Sequence, residues 1–144
     1  MIMSKNLVAA LLMLLSYNAW SAAFSDNGDG TVTDFATGLT WQQSDAHNNI
    51  KRTQSAAIVY CDGLTLAGGG WRLPAAKELI SIVDFRRVQP SINLSYFPDG
   101  LSTPYWTASS FASDSDYGWI VSFWNGDMFE DEVVFADEDV RCVR

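Results

Sequence analysis

The chain has 144 residues, of which 48% are hydrophobic, and a formal net charge of −8 at pH 7. The length and apolar content suit a single globular domain with a substantial core. The acidic balance argues against nucleic-acid binding by general electrostatic attraction.

The N-terminal stretch has the pattern of a secretory signal peptide. Lys5 provides a positive start, residues 7–15 form an uncharged apolar run, and small residues stand at Ser21 and Ala23. The run is too short to cross a bilayer. We predict a signal peptide over residues 1–23, with cleavage before Phe24 or alternatively after Ser21. The competing interpretation is an N-terminal membrane anchor.

The predicted mature protein is one domain over residues 24–144. Loss of Lys5 takes the net charge from −8 to −9. The signal peptide predicts an exported protein, either periplasmic or extracellular. No further run of the sequence is long enough to span a membrane.

The first stretch of this domain, "FSDNGDGTVTDFATGLTWQQ" (24–43), offers two interpretations. Its aspartates resemble a calcium loop, but counting from Asp26 or Asp29 places a threonine where an EF-hand requires glutamate. Asn27-Gly28 and Asp29-Gly30 instead favour a tight turn at positive φ, followed by a strand. The turn is the preferred prediction, with a metal role as the alternative.

Two helices are predicted in the middle of the chain. Thr53 is a suitable cap for the first, and Ala56, Val59, Tyr60 and Leu64 follow at helical spacing. The second begins after Pro74, with an apolar stripe of Ala76, Leu79, Ile80 and Val83, and ends near Phe85. An irregular loop is expected over residues 88–104.

Antiparallel strands are predicted after that loop. "YWTASS" (105–110) is a short strand, and "GWIVSFW" (118–124) alternates, with Trp119, Val121 and Phe123 on one face. Asn125-Gly126 predicts a hairpin turn, after which the chain returns. "DVRCVR" (139–144) is the last predicted strand. Separate blocks of helices and antiparallel strands indicate an α+β fold.

The two cysteines, Cys61 and Cys142, are an even number in an exported protein, which favours a disulfide between them. Two free thiols are the alternative. A catalytic thiol is less favoured, because the single histidine, His47, lies in a polar stretch and nothing near either cysteine indicates activation.

Charge is unevenly distributed along the chain. Residues 51–87 contain six bases, whereas residues 88–140 contain no Lys or Arg. The six are Lys51, Arg52, Arg72, Lys77, Arg86 and Arg87. Acids accumulate there in the runs 130–132 and 137–139. A solvated acidic face explains these runs most simply, and divalent cation binding is the alternative.

The order of motifs resembles the Lcl C-terminal domain family of exported bacterial proteins. The matching segments cover nearly all of residues 24–144, and they are "DNGDGTVTD" (26–34), "TGLTWQ" (37–42), "YCDGLTLAGGGWRLP" (60–74), "KELISIVD" (77–84), "YWTASS" (105–110), "GWIVSFWNG" (118–126) and "VRCVR" (140–144). One departure is Ala75, where the family usually has threonine, a natural helix cap.

The resemblance implies a C-type-lectin-like fold of two helices, a small, mainly antiparallel sheet and long loops. Cys61 on the first helix and Cys142 on the last strand match that fold's disulfide. "WNGD" (124–127) is similar to the Trp-Asn-Asp of calcium-dependent lectins, but Gly126 interrupts the pattern. We therefore expect no metal site and no cofactor.

Three function classes follow from the resemblance. The first is a non-enzymatic binding or adhesion module for a glycan, a protein or a cell surface. The analogy is to the domain that gives the family its name, which lies at the end of a collagen-like adhesin. The second is a structural envelope domain without a small ligand. The third is an enzyme related to sulfatase-modifying proteins, whose chemistry needs a pair of reactive cysteines close together. This class is disfavoured because Cys61 and Cys142 match the positions of the fold's disulfide instead. Oligomeric state is left open.

Aromatic side chains are the candidate contacts of a binding module. Trp41, Trp71, Trp106 and Trp119 have apolar neighbours and are predicted to be in the core. Trp124 lies beside the hairpin turn and is the best candidate for an exposed contact, although core packing is the alternative. The candidate ligand contacts are Tyr117, Trp124, Asp127 and Phe129.

Overall fold

The structure, a computed structural model, describes residues 23–44 and 50–144. The predicted signal peptide, apart from Ala23, and the single histidine, His47, lie outside the described residues. Within the described ranges, no helix is long and apolar enough to cross a membrane.

The described chain folds into helices and strands in separate blocks, which confirms the α+β prediction. The helices are α1 (Gln54–Gly63) and α2 (Ala76–Ile80), with a 3-10 turn at Leu66–Gly68 between them. The strands are β1 (Phe24–Asp26), β2 (Thr31–Asp34), β3 (Thr40–Gln42), β4 (Pro104–Ser110), β5 (Tyr117–Ser122) and β6 (Met128–Glu132).

The strands form two sheets, where the resemblance implied one. Both are three-stranded and antiparallel, in the orders β1-β2-β3 and β4-β5-β6. The predicted last strand is an extended segment held by single bridges. Val143 pairs antiparallel with Trp41 of β3 on one side and with Arg72 on the other. The C-terminal segment therefore joins the first sheet to the chain that follows α1.

The turn between β1 and β2 confirms the turn interpretation of the aspartate-rich stretch. Gly28 and Gly30 have φ angles of +73° and +85°. Asp26 accepts a hydrogen bond from the Gly28 amide, and Asp29 accepts two from Thr31, one from its amide and one from its hydroxyl. These carboxylates stabilise the turn by satisfying its backbone donors.

Helix α1 begins as predicted but buries a different face. The Thr53 hydroxyl accepts a hydrogen bond from the Ala56 amide, which confirms the cap. The buried residues are Ala57 and Cys61, whereas Val59, from the predicted stripe, is 71% exposed. Tyr60 and Leu64 of that stripe are partly buried and pack against the core, so the predicted stripe was wrong only at Ala56 and Val59.

Helix α2 is shorter than predicted, since it ends at Ile80 and not near Phe85. The amides of Ile82 and Val83 bond to carbonyls three residues earlier, at Leu79 and Ile80, which tightens the chain into turns. Phe85 consequently lies in a loop.

The core consists of two clusters. The first contains Val32, Trp41, Leu79, Phe97, Tyr105, Val121 and Phe123, among others. The second contains Ala57, Cys61, Trp71, Leu73, Trp106, Ile120, Val140 and Cys142. The core predictions for Trp41, Trp71 and Trp106 are confirmed. Trp119 was wrongly predicted, because it is only half-buried and its ring packs edge-on against Phe111, with 5.2 Å between ring centroids.

Cys61 and Cys142 form a disulfide, which confirms the predicted pairing. Their Cα atoms lie 5.5 Å apart, and both residues are fully buried in the second core cluster. The bond ties helix α1 to the C-terminal segment across 81 positions of sequence.

Candidate functional site

The four candidate ligand contacts all lie on or beside the β5–β6 hairpin, but they do not form one site. Tyr117 pairs with Glu132 at the open end of the hairpin, whereas Val121 pairs with Met128 next to the turn. Four positions of a strand span roughly 13 Å. Tyr117 is therefore far from Trp124 and Asp127, which belong to the turn.

Phe129 and Tyr117 also lie on opposite faces of the β4-β5-β6 sheet. It pairs with Ile120, and side chains alternate along a strand, so Phe129 and Ile120 share one face. Tyr117 and Trp119 share the opposite face. Only Trp124 and Asp127 among the four candidates are brought together by the turn.

The turn itself is tightly ordered by backbone hydrogen bonds. The Gly126 amide donates to the Ser122 carbonyl, and the Ser122 amide donates to the Asp127 carbonyl, both at 2.8 Å. Gly126 has a φ of +89°, which confirms the predicted Asn125-Gly126 turn. The Asn125 side-chain amide donates to the Asp127 carboxylate at 2.7 Å, so these two polar groups have a defined orientation.

A second segment runs beside the turn. The amides of Gln89 and Ser91 donate to the carbonyls of Trp124 and Phe123, at 2.9 and 2.7 Å. A Cβ placed on Gly126 would lie 2.8 Å from a ring carbon of Phe85, so that ring lies against the turn. The loop over residues 84–91 is thereby attached to the end of the hairpin.

These segments present apolar side chains to solvent. Phe85 is 69% exposed, Val88 66% and Trp124 52%. We call this area the tip surface, defined by Phe85, Val88, Trp124, Asn125 and Asp127. Trp124 is exposed as predicted, and its role as a ligand contact stays a prediction. The sequence did not indicate Phe85 and Val88 as surface contacts, because Phe85 was predicted to end helix α2. The signal that could have identified them is the pair of apolar residues on either side of Arg86-Arg87.

The two arginines of this loop are paired internally. Arg86 and Arg87 donate through Nε to opposite oxygens of Asp84, at 2.9 and 3.0 Å. Mainly through the hydrogen bond from Arg86, the pKa of Asp84 falls to about 2. The carboxylate is ionised at neutral pH and offsets part of the positive charge beside the tip surface.

A separate cleft lies at the open end of the hairpin. It has a volume of about 410 Å³ and is lined by Asp114, Asp116, Tyr117, Glu132, Val134 and Phe135. We call it the acidic cleft. Negative charge, first from Glu132 and then from Asp114 and Asp116, helps raise the pKa of the Tyr117 hydroxyl. The chemistry of this cleft therefore differs from that of the tip surface.

Comparison with known proteins bears on the whole domain. The sequence model of the Lcl C-terminal domain family matches residues 30–144. That range includes the tip surface, the acidic cleft and both cysteines. No curated protein gives a significant match to the chain.

Proposed function

The chain belongs to the Lcl C-terminal domain family, and from this premise we propose that it is an exported, non-enzymatic binding module. Its ligand contact is the tip surface, and the ligand class that fits best is an uncharged glycan. Support for export comes from the signal-peptide pattern of residues 1–23.

The observation that carries this proposal is the exposed indole of Trp124 on a rigid turn. The backbone carbonyl of Trp124 accepts a hydrogen bond from the Gln89 amide, so the backbone that presents the ring is held in place. An indole offers a broad apolar face that can cover the apolar face of a sugar ring. Asn125 and Asp127 stand beside it and can bond sugar hydroxyls.

The charge of the protein restricts the ligand further. A net charge of −9 after the predicted processing, one less than the −8 of the full chain, disfavours polyanions, and Asp127 adds an acceptor at the surface itself. An uncharged glycan avoids this repulsion and still uses both the ring and the polar groups.

The non-enzymatic part of the proposal is supported by the cysteines. Both sulfurs are joined in the buried disulfide, so neither is available as the reactive thiol of a sulfatase-modifying enzyme. The bond between helix α1 and the C-terminal segment also supports a C-type-lectin-like arrangement, which remains part of the proposal.

A glycan array with the purified processed protein tests the proposal. We expect binding to one or more uncharged glycans, and a loss of at least tenfold in affinity for Trp124→Ala. Phe35→Ala is the matched control, because Phe35 is equally an exposed aromatic but follows β2 in the other sheet. Absence of binding to every glycan, or equal losses in both variants, would favour a structural envelope domain instead.

A further inference from the structure

The acidic cleft combines exposed apolar side chains with carboxylates that have no cationic partner among the described residues. Phe135 is 83% exposed, and Val134 beside it is exposed as well. Among the described residues, no ion pair involves Asp114, Asp116 or Glu132. The cleft thus exposes both apolar area and uncompensated negative charge.

Backbone hydrogen bonds hold the two walls of the cleft together. The Val133 amide donates to the Asp116 carbonyl at 2.9 Å, which links the turn after β6 to the loop before β5. The Phe111 amide donates to the Tyr117 carbonyl at 3.0 Å and closes that loop. The cleft is therefore preformed, and binding there costs little ordering of the protein.

Tyr117 lines the cleft together with the carboxylates and the apolar side chains. Its hydroxyl is 3.4 Å from a carboxylate oxygen of Glu132, its direct partner across the hairpin. A tyrosine ring attracts a cation over its face, and nearby carboxylates strengthen that attraction. The arrangement suits a long side chain with an apolar stem and a positive end, such as Lys or Arg.

We propose that the acidic cleft binds a cationic, amphipathic peptide segment of a partner protein. Lys or Arg side chains of the segment meet Asp114, Asp116 and Glu132, and its apolar residues cover Val134 and Phe135. Charge complementarity selects a basic partner, and the exposed apolar wall selects a peptide over a simple polyamine, which has no side chain to cover Phe135.

The proposal is independent of the tip surface, because the cleft lies at the other end of the hairpin. Its test uses calorimetry at low salt with a twelve-residue peptide of alternating Lys and Leu. A Lys–Ser peptide of equal charge and a Glu–Leu peptide are the comparison probes. We expect the Lys–Leu peptide to bind, the Lys–Ser peptide to bind at least tenfold more weakly, and the Glu–Leu peptide not to bind.

Variants then locate the contact. Phe135→Ala, at a highly exposed position, should weaken Lys–Leu binding at least threefold, and Asp116→Asn with Glu132→Gln at least tenfold. Glu130→Gln with Asp137→Asn removes the same charge at exposed positions outside the cleft and should change the affinity less than twofold. Equal losses in the two double variants, equal binding of the two Lys peptides, or displacement of the Lys–Leu peptide by equimolar spermine would overturn the proposal.

Discussion

The hydroxyl of Ser109 accepts the amide hydrogen of Ala76 at 2.9 Å, so a residue of strand β4 caps helix α2. Ala75, at the cap position, has no side-chain oxygen to accept from the second or third amide of the helix. The Glu78 carboxylate accepts a hydrogen bond from the Ala75 amide at 2.8 Å and is held by Arg72. Two backbone amides at the start of α2 are thus satisfied by side chains other than that of the cap residue.

Removing the Ser109 hydroxyl should destabilise the start of helix α2. Ser109→Ala is expected to lower the free energy of unfolding by about 1 kcal/mol, the usual effect of losing a cap. Ala75→Thr should add a separate bond to the second or third amide of the helix, so it should stabilise the natural protein and the Ser109→Ala variant by similar amounts. Urea denaturation of the four proteins measures both effects, and an unchanged stability of Ser109→Ala would contradict the role of its hydroxyl.

Removing the disulfide should destabilise the protein strongly. The bond closes a long loop, with a sequence separation of 81. On the chain-entropy model such a link stabilises by roughly 4 to 5 kcal/mol, so Cys61→Ala with Cys142→Ala should lose that much. Mass spectrometry under non-reducing conditions checks the pairing in the natural protein through a linked peptide pair. Two alkylatable thiols there would refute it.

Gly30 and Trp71 both lie beside Leu66, and both are predicted to be structural. A Cβ on Gly30 would lie 3.1 Å from a Leu66 methyl at a φ of +85°, so Gly30→Val should destabilise markedly. The buried Trp71 indole donates to the Leu66 carbonyl at 2.7 Å, and Trp71→Ala should cost about 3 to 5 kcal/mol.

Gly63→Ala is the control for the glycine, because Gly63 has open space around its Cβ position and no positive φ. Thermal melting should leave Gly63→Ala near the natural protein. Unchanged melting of both Gly30→Val and Trp71→Ala would show that neither position is structural.

Stability should fall as pH rises through the titration of Glu138. Burial and a hydrogen bond with Asp131 raise the pKa of Glu138 to about 7, from 4.5. Between these values the folded state holds a proton that the unfolded state has released, so unfolding becomes easier as pH increases across this window. The loss should be on the order of 2 kcal/mol between pH 5 and pH 8.

Glu138→Gln removes this titration while keeping the shape of the side chain. Urea denaturation at pH 5 and pH 8 should show a smaller decline for the variant than for the natural protein. An equal decline in both proteins would assign the pH dependence to other groups.

The domain should not bind strongly sulfated polysaccharides. Several bases that could form a local patch are paired: Lys51 with Glu138 at 3.7 Å, and both Arg86 and Arg87 with Asp84. The predicted removal of Lys5 takes the net charge from −8 to −9, so electrostatic attraction of the processed domain to a polyanion is weak. On a heparin column at low salt we expect no retention. Retention that disappears with added salt would show that a basic patch dominates.

Local chemistry in the sequence determined the turns, the cap of helix α1 and the type of most elements. Asn27-Gly28 and Asn125-Gly126 specify positive φ angles within a few residues, and Thr53 satisfies a backbone donor three positions away. The core positions of Trp41, Trp71 and Trp106 followed from apolar neighbours. The prediction of export rests on the sequence of residues 1–23 alone.

Only the tertiary structure decided which faces and loops meet. Helical spacing allowed more than one buried face of α1, and packing through Cys61 selected the one that hides Ala57 and exposes Val59. Hairpin register placed Tyr117 and Trp124 at opposite ends, although they are close in sequence. Backbone hydrogen bonds from Gln89 and Ser91 to the hairpin, more than thirty residues away in sequence, place the loop that carries Phe85 against the turn. Such contacts depend on the whole chain, because each is selected by the combined packing of distant segments and by no local preference.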